Sequence, residues 1–226
     1  MTGTRRLDLH VHSQHSPDSK MRLDTIVEQL GRRGLSGFAL TDHNSVRGHA
    51  ELQELQRRNP GYLFVPGVEI STAEGHLLAY GVAAAPPADR PIADTVEWVR
   101  ANGGEAVIAH PFRRSHGVGR RVAETVDVRA IEVRNGHNSE LANAWAEFVA
   151  TERGLGHTGG SDAHTPRDVG RASTLVHETA DSVDDLLEDI RRDRTLAEGS
   201  SLTPWGQVRV GLRNLGLRAS RGFRGI

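Results

Sequence analysis

Residues Arg5 to Lys20, RRLDLHVHSQHSPDSK, place three histidines and two aspartates beside a short apolar run. Imidazole and carboxylate are the side chains that hold Zn²⁺, Mn²⁺ and Fe²⁺. His10 and His12 are two apart, so in an extended strand both rings lie on one face and can reach one ion. Alone, such a pair carries little weight, because surface histidines are common. Its weight comes from matching groups further along. TDHN gives His43, with Asp42 as its orienter or as a structural cap. GVEIS gives Glu69, an anion suited to bridging two cations. AHP gives His110, where Pro111 ends the strand. GGSDAH gives Asp162 and His164, again two apart, after Gly159 and Gly160, which let backbone pass close to a site. With Asp18 the set is all nitrogen and oxygen, which suits those three metals and argues against Ca²⁺, an all-oxygen ion. It is also too large for one ion, since Zn²⁺ takes about four ligands. Two or more ions about 3.5–4 Å apart serve in-line displacement at phosphorus.

Such groups act together only if the fold gathers them. Short apolar runs alternate with amphipathic stretches along the chain. RLDLHVH reads as a strand, and LDTIVEQLGRRG as a helix capped by Asp24 and stopped by Gly34. SGFALTDHN is the next strand, followed by the helix HAELQELQRRN. YLFVPGVEIS and GHLLAYGVA flank the turn Ala73-Glu74-Gly75 and read as a hairpin. IADTVEWVRANGG is a helix, EAVIAHP and VRAIEVRN are strands, and SELANAWAEFVATERG is a helix. LGHTGGSDAH reads as the last strand, and DSVDDLLEDIRRDR as a final helix with an Asp181 cap. Strand after strand ends in a metal-capable residue. In a barrel of parallel strands all C-terminal ends converge on one face. An α/β barrel is therefore expected, and the hairpin carrying Glu69 and His76 makes it distorted or incomplete.

The 226 residues suffice for one domain with a sizeable core. There is no cysteine, hence no thiolate site or disulfide scaffold. No apolar run is long enough for a membrane span and no signal segment precedes the first strand, so a cytoplasmic location is expected. The net charge of −1 hides an asymmetry, because no acid follows Glu198 while Arg209, Arg213, Arg218, Arg221 and Arg224 do. The chain is accordingly divided into a body, 1–198, of net charge −6 (23 basic against 29 acidic residues), and a basic tail, 199–226. The tail mixes its arginines with Trp205, Val208, Leu212, Leu215 and Phe223. It reads as a segment packing its apolar residues on the barrel rather than as a nucleic-acid or membrane contact.

The ordered series HVH, TDHN, GVE, AHP and SDAH resembles the PHP (polymerase and histidinol phosphatase) domain family over nearly all of 1–198. The resemblance implies a distorted (β/α)7 TIM-like barrel with a trinuclear centre of Mn²⁺, Fe²⁺ or Zn²⁺. It implies that His10, His12, Glu69 and Asp162 hold one ion, that Glu69 bridges to a second held by His110 and His76, and that Asp18, His43 and His164 hold a third. The implied reaction is hydrolysis of a phosphate ester by a metal-bridging hydroxide, on a small phosphorylated metabolite of nucleotide, sugar phosphate or histidinol phosphate type. Arg113 and Arg134 are the arginines expected to steady the phosphoryl oxygens. His15 and His137, on active-face loops, are the side chains expected to protonate the leaving group. His49, His157 and His177 are read as structural. The alternative is a metal-dependent nuclease acting on DNA or RNA ends, against which the acidic body would repel a polyanion. The sequence leaves the oligomeric state open.

Overall fold

The computed structural model describes residues 3–201; the basic stretch from Thr203 onward lies outside them. Fifteen elements follow in the order β1 (Thr4–Val11), α1 (Leu23–Arg33), β2 (Gly37–Leu40), α2 (His49–Arg58), β3 (Leu63–Ser71), β4 (His76–Tyr80), α3 (Ile92–Ala101), β5 (Glu105–Ile108), α4 (Gly119–Thr125), β6 (Ala130–Asn135), α5 (Glu140–Arg153), β7 (Gly156–Gly160), β8 (Ala172–His177), α6 (Val183–Arg191) and β9 (Leu196–Gly199). One nine-stranded sheet runs β7-β6-β5-β4-β3-β2-β1-β8-β9. Strand β1 pairs in parallel with β2, β2 with β3, β5 with β6 and β6 with β7. The sheet curls into a nearly closed barrel: His12 N–H donates to the Ala163 carbonyl (3.0 Å), joining β1 to the chain just beyond β7.

The expected hairpin is present, with Gly67 opposite Tyr80 and Ser71 opposite His76. Because β4 runs antiparallel to both its neighbours, the barrel is distorted there, as expected. Three expectations are corrected. Strand β7 is not the last, since β8 runs antiparallel to β1 and β9 pairs with β8. Strand β8 runs the opposite way from β1, so its terminal His177 pairs beside Thr4 and lies away from the site. Helix α1 begins at Leu23 with no side-chain cap, leaving Asp24 in its first turn. Helix α6 is capped by Ser182, which accepts from Asp185 N–H while the Asp185 carboxylate accepts from Ser182 N–H. The reciprocal pair satisfies two otherwise unbonded donors, an advantage Asp181 lacks.

Three apolar clusters hold the strands in place. Leu7, Leu9, Val65, Leu78, Val107 and Leu186 form one of them, and Ile26, Leu30, Leu52 and Leu55 seat α1 and α2 against Phe38 and Phe64 in a second. The third lies under α3 and α5, where Val96, Val99, Ala146 and Val149 meet Ile108, Ile131 and Val133. Helix α1 stops where Gly34 takes φ 64°, a left-handed conformation that costs glycine little. None of the described helices is long and apolar enough to cross a membrane.

Candidate metal centre

His10 leaves the C-terminal half of β1 and His12 follows its last residue, both fully buried. Glu69 sits near the end of β3, and His76 opens β4, which the hairpin returns beside it. His43 follows β2, His110 follows β5, and Asp162 and His164 follow β7. His110 (φ 28°) and Asp162 (φ 56°) both take positive φ, an uncommon state for side chains with a Cβ. Such strain concentrates at functional sites, where the surroundings enforce it. Gly160 lets β7 pass against β1: a Cβ there would lie 2.3 Å from His10 Cβ.

The structure brings all nine expected ligand residues into one buried pocket. Glu69 Oε2 lies 3.2 Å from His10 Nε2, His12 Nε2 and His43 Nδ1, while Glu69 Oε1 lies 2.7 Å from His76 Nδ1 and 2.9 Å from His110 Nε2. Asp162 Oδ1 lies 3.2 Å from His12 Nε2, and Asp18 Oδ2 lies 2.6 Å from His164 Nε2 and 3.3 Å from His43 Nε2. Four groups of donor atoms fall within 4.8 Å of one another: His10, His12, Glu69 and Asp162; His12, Asp18, His43 and His164; His43, Glu69 and His76; and His137, Asp162 and His164. His12 and His43 each belong to two groups, so the ions would share neighbours.

The buried polar atoms without a hydrogen-bond partner test whether cations fit. His10 Nε2, His12 Nε2, His43 Nδ1, Glu69 Oε2 and His110 Nδ1 are all buried and unpartnered. An unsatisfied buried polar atom costs on the order of 1–3 kcal/mol, and here most of them face one pocket. Separations near 3 Å are those of two donors about 2.0–2.1 Å from a common ion. The donor set fits divalent cations.

Electrostatics point the same way. Burial disfavours the Glu69 carboxylate, but His43 and His10 outweigh it and hold it well below the usual range. Burial likewise opposes the Asp162 charge, which Arg113 and His10 restore. Burial also disfavours the charged His12 ring, yet the carboxylates of Asp162 and Glu69 beside it lift it to about 10. His10 is raised well above its ordinary value against its own burial, by Asp162, Glu132 and Glu69. His110 goes the other way, pressed to about 3 by burial and by Arg113. The carboxylates thus make the pocket a sink for positive charge, which protons or metal ions can supply.

The surrounding shell holds residues that sequence reasoning missed. Glu132 Oε1 accepts from His10 Nδ1 (2.9 Å), and Glu132 Oε2 accepts from His110 N–H (2.9 Å) and Asn135 Nδ2 (3.0 Å). A proton fixed on Nδ1 leaves the Nε2 lone pair of His10 facing Glu69 and Asp162. His164 is oriented alike, donating from Nδ1 to the Asp162 carbonyl (2.8 Å). The signal for Glu132 was present, as a carboxylate in the middle of the apolar strand AIEV. Asp42 proves to be a cap, accepting from Ser13 N–H (2.6 Å) and Ser13 Oγ (2.8 Å).

The residues expected to face a substrate divide. Arg113 donates to Asn135 Oδ1 (2.6 Å) and Asn138 Oδ1 (3.1 Å) and pairs with Asp162 Oδ2 (2.6 Å) at the edge of the pocket. Arg134 is turned away, held between Glu140 and Glu147 of α5 at 2.8 Å each. A bulge between Glu132 and Arg134 explains this, because the extra residue breaks the alternation and brings Glu132 and Asn135 inward together. His137 stacks on His164 (ring centroids 5.8 Å apart) and is pushed down by burial. His15 is outside the pocket, 2.9 Å from Glu51 and half-buried. Of the histidines read as structural, His49 Nε2 bonds the Gly67 carbonyl (2.9 Å) and His177 Nδ1 bonds Thr179 Oγ1 (2.8 Å).

Parallel strands delivering imidazoles and carboxylates to one pocket define a metal-binding barrel protein. Comparison with known proteins gives the family. The PHP domain matches residues 8–114, and the PHP-associated C-terminal region matches 140–195. The chain belongs to the PHP family of metal-dependent phosphoesterases. An uncharacterized protein of Methanocaldococcus jannaschii is 28% identical over 146 residues, 60% of this chain and 84% of that one. The phosphoribosyl 1,2-cyclic phosphate 1,2-diphosphodiesterase of Eggerthella lenta is 34% identical over 87 residues, 36% of this chain and 32% of that enzyme. The 3′,5′-nucleoside bisphosphate phosphatase of Chromobacterium violaceum is 34% identical over 86 residues, 36% of this chain and 30% of that enzyme. The matched segment therefore spans about a third of each named enzyme. A solved two-domain protein from Bacteroides vulgatus, described as containing a predicted PHP-like metal-dependent phosphoesterase, shares the fold (TM-score 0.71, 23% identity, 87% of this chain, 65% of that one).

Proposed function

We propose that this chain hydrolyses a small phosphorylated metabolite carrying a ribose or similar sugar, with up to three divalent ions in the pocket. The carrying observation is the convergence of unpartnered imidazole and carboxylate atoms on Glu69. In this reading His10, His12, Glu69 and Asp162 hold one ion. Glu69, His76 and His110 hold a second, and Asp18, His43 and His164 a third. Bound divalent ions supply an acidified water and offset charge on phosphoryl oxygens. Mn²⁺, Fe²⁺ and Zn²⁺ all suit these donors.

The chain's own residues do the rest. Glu132 and the Asp162 carbonyl set the tautomers of His10 and His164, so that Nε2 of each keeps its lone pair. Arg113 pins Asp162 through Oδ2 and leaves Oδ1 facing His12. Its guanidinium, a quarter exposed, is also the cation placed to meet the substrate phosphate. Burial lowers the His137 value, and its Nε2 lies 3.7 Å from Asp168 Oδ2, beyond hydrogen-bond distance. That atom is the one able to carry a proton to the leaving oxygen, whereas His15 is engaged by Glu51. Arg134, bound to α5, takes no part. The E. lenta and C. violaceum enzymes are both named for phosphorylated ribose compounds, which favours that substrate class. In this division of the chain, 1–198 forms the catalytic body and 199–226 an appendage.

The test is elemental analysis of the purified protein, then phosphate release from nucleoside bisphosphates, cyclic and linear phosphoribose, other sugar phosphates and histidinol phosphate with each metal. Turnover of a ribose phosphate, abolished by chelator and restored by metal, is expected. Cleavage of oligonucleotides alone, falling steeply with salt, would establish the nuclease alternative instead. Full activity in excess chelator would end the metal reading.

A further inference from the structure

Among the described residues, four large hydrophobic side chains stand exposed, and three of them lie on α5: Leu141 (68% exposed), Trp145 (44%) and Phe148 (51%). Their spacing of four and then three residues aligns them as one stripe along the helix. Within the stripe Trp145 meets Phe148 edge-on with ring centroids 5.8 Å apart, and the Phe112 ring lies 6.4 Å from Trp145. The opposite face of α5, with Ala146, Val149 and Ala150, is already committed to the core. Scattered exposed apolar residues need no explanation, but a contiguous aromatic patch calls for a cover.

The described chain ends beside this patch. Ser201 Oγ donates to Glu140 Oε2 (2.6 Å) and accepts from Asn143 Nδ2 (3.0 Å), so the chain arrives at the first turn of α5. Twenty-five further residues follow, 202–226, carrying Trp205, Val208, Leu212, Leu215 and Phe223 and five arginines without one acid. From Glu140 to Phe148 the helix rises about 12 Å at 1.5 Å per residue. Four extended residues cover about 13 Å, so Trp205 is within reach of the far end of the stripe. The charge also matches. Glu140 and Glu147 share the single guanidinium of Arg134, and Glu152 is exposed one turn further on.

We propose that residues 202–226 dock in cis on the Leu141, Trp145 and Phe148 stripe of α5, with apolar side chains against the aromatics and arginines facing Glu140, Glu147 and Glu152. The segment then covers the exposed patch and makes α5 a helix buried on two sides. Its anchor, Asn143, also accepts from Asn135 N–H (3.2 Å), which ties the docking face to the shell around Asp162.

The cysteine-free chain makes the test direct. In the full-length, metal-loaded protein, Trp145→Cys is combined with Val208→Cys or with Leu212→Cys, and disulfide formation is followed on non-reducing gels. The control replaces Trp145→Cys by Glu54→Cys on α2. Docking in cis predicts an intramolecular disulfide forming at least about tenfold faster than in the control, through high effective concentration. Equal rates overturn the proposal, and so does a predominance of disulfide dimers, which would assign the stripe to a second copy. Independently, the Leu141→Gln, Trp145→Gln, Phe148→Gln triple variant changes only exposed side chains. Trypsin should cut its tail at Arg209 and Arg213 about tenfold faster than the wild-type tail, because cleavage follows the undocked population. A wild-type tail cut as fast as the variant's overturns the proposal.

Discussion

Glu132→Gln isolates the part of the site that holds ligands in place without being one of them. The substitution keeps the shape of the side chain and removes its charge. Glu132 receives donors at both oxygens: His10 Nδ1 at Oε1, and His110 N–H with Asn135 Nδ2 at Oε2. A glutamine has one acceptor oxygen, so its amide N–H must confront a donor on one side. If the amide nitrogen faces His10, the ring takes the other tautomer and protonates Nε2, the atom aimed at Glu69. If it faces His110, a buried backbone N–H loses its acceptor, at a cost of about 1–3 kcal/mol. Loss of such an orienting partner weakens metal binding by roughly 10–100-fold, or about 1.4–2.8 kcal/mol. Competition against a chromophoric chelator gives that affinity, and elemental analysis gives the stoichiometry. The expected result is weaker retention of one ion, with turnover recovering at high metal. Wild-type affinity together with a wild-type melting temperature would refute the role assigned to Glu132.

Other outcomes follow from the same geometry. Glu69→Gln should lose more than one equivalent of metal in elemental analysis, since its two oxygens face different histidines; loss of a single equivalent would deny the bridging role. Gly160→Ala should cost roughly 1–3 kcal/mol, a melting-temperature drop of about 3–10 °C, because the new Cβ meets His10 Cβ at 2.3 Å and His10 N at 2.6 Å. Metal-free protein should lose stability as pH rises. The folded His12 value of about 10 exceeds its ordinary 6.5, so its contribution is complete below 6.5 and disappears through 10. Loaded protein gains affinity over the same range because metal competes with those protons. Thermal melts with and without chelator, near pH 7 and near pH 9.5, should diverge with pH.

The candidate ligand set was legible in the sequence because local pattern carries it. His10 with His12, and Asp162 with His164, are spaced by two at the ends of runs whose composition makes them strands, and parallel strands put such ends on one face. Glu69 and His76 could be joined because a short turn fixes hairpin register. The family resemblance rested on the same residues. What remained illegible depends on long-range pairing. Arg134 and Glu132 look alike in IEVRN, and the bulge against β7 sends one to α5 and the other beneath His10. Strand β8 ends in His177 away from the site, so only its antiparallel pairing with β1 reveals its place. Helix α4 is seven residues long, too short to show a period.

The sequence by itself determined which side chains could bind cations and that strand ends would present them, since both follow from residue type and spacing of two or three positions. Tertiary structure alone decided which atoms face one another. Only packing brings Glu69 Oε2 equally close to His10, His12 and His43, puts Glu132 behind His10, and leaves Trp145 and Phe148 uncovered where Ser201 arrives. Those relations join residues that sequence separation of dozens to well over a hundred positions keeps invisible to any local pattern, because sheet register and barrel closure set them.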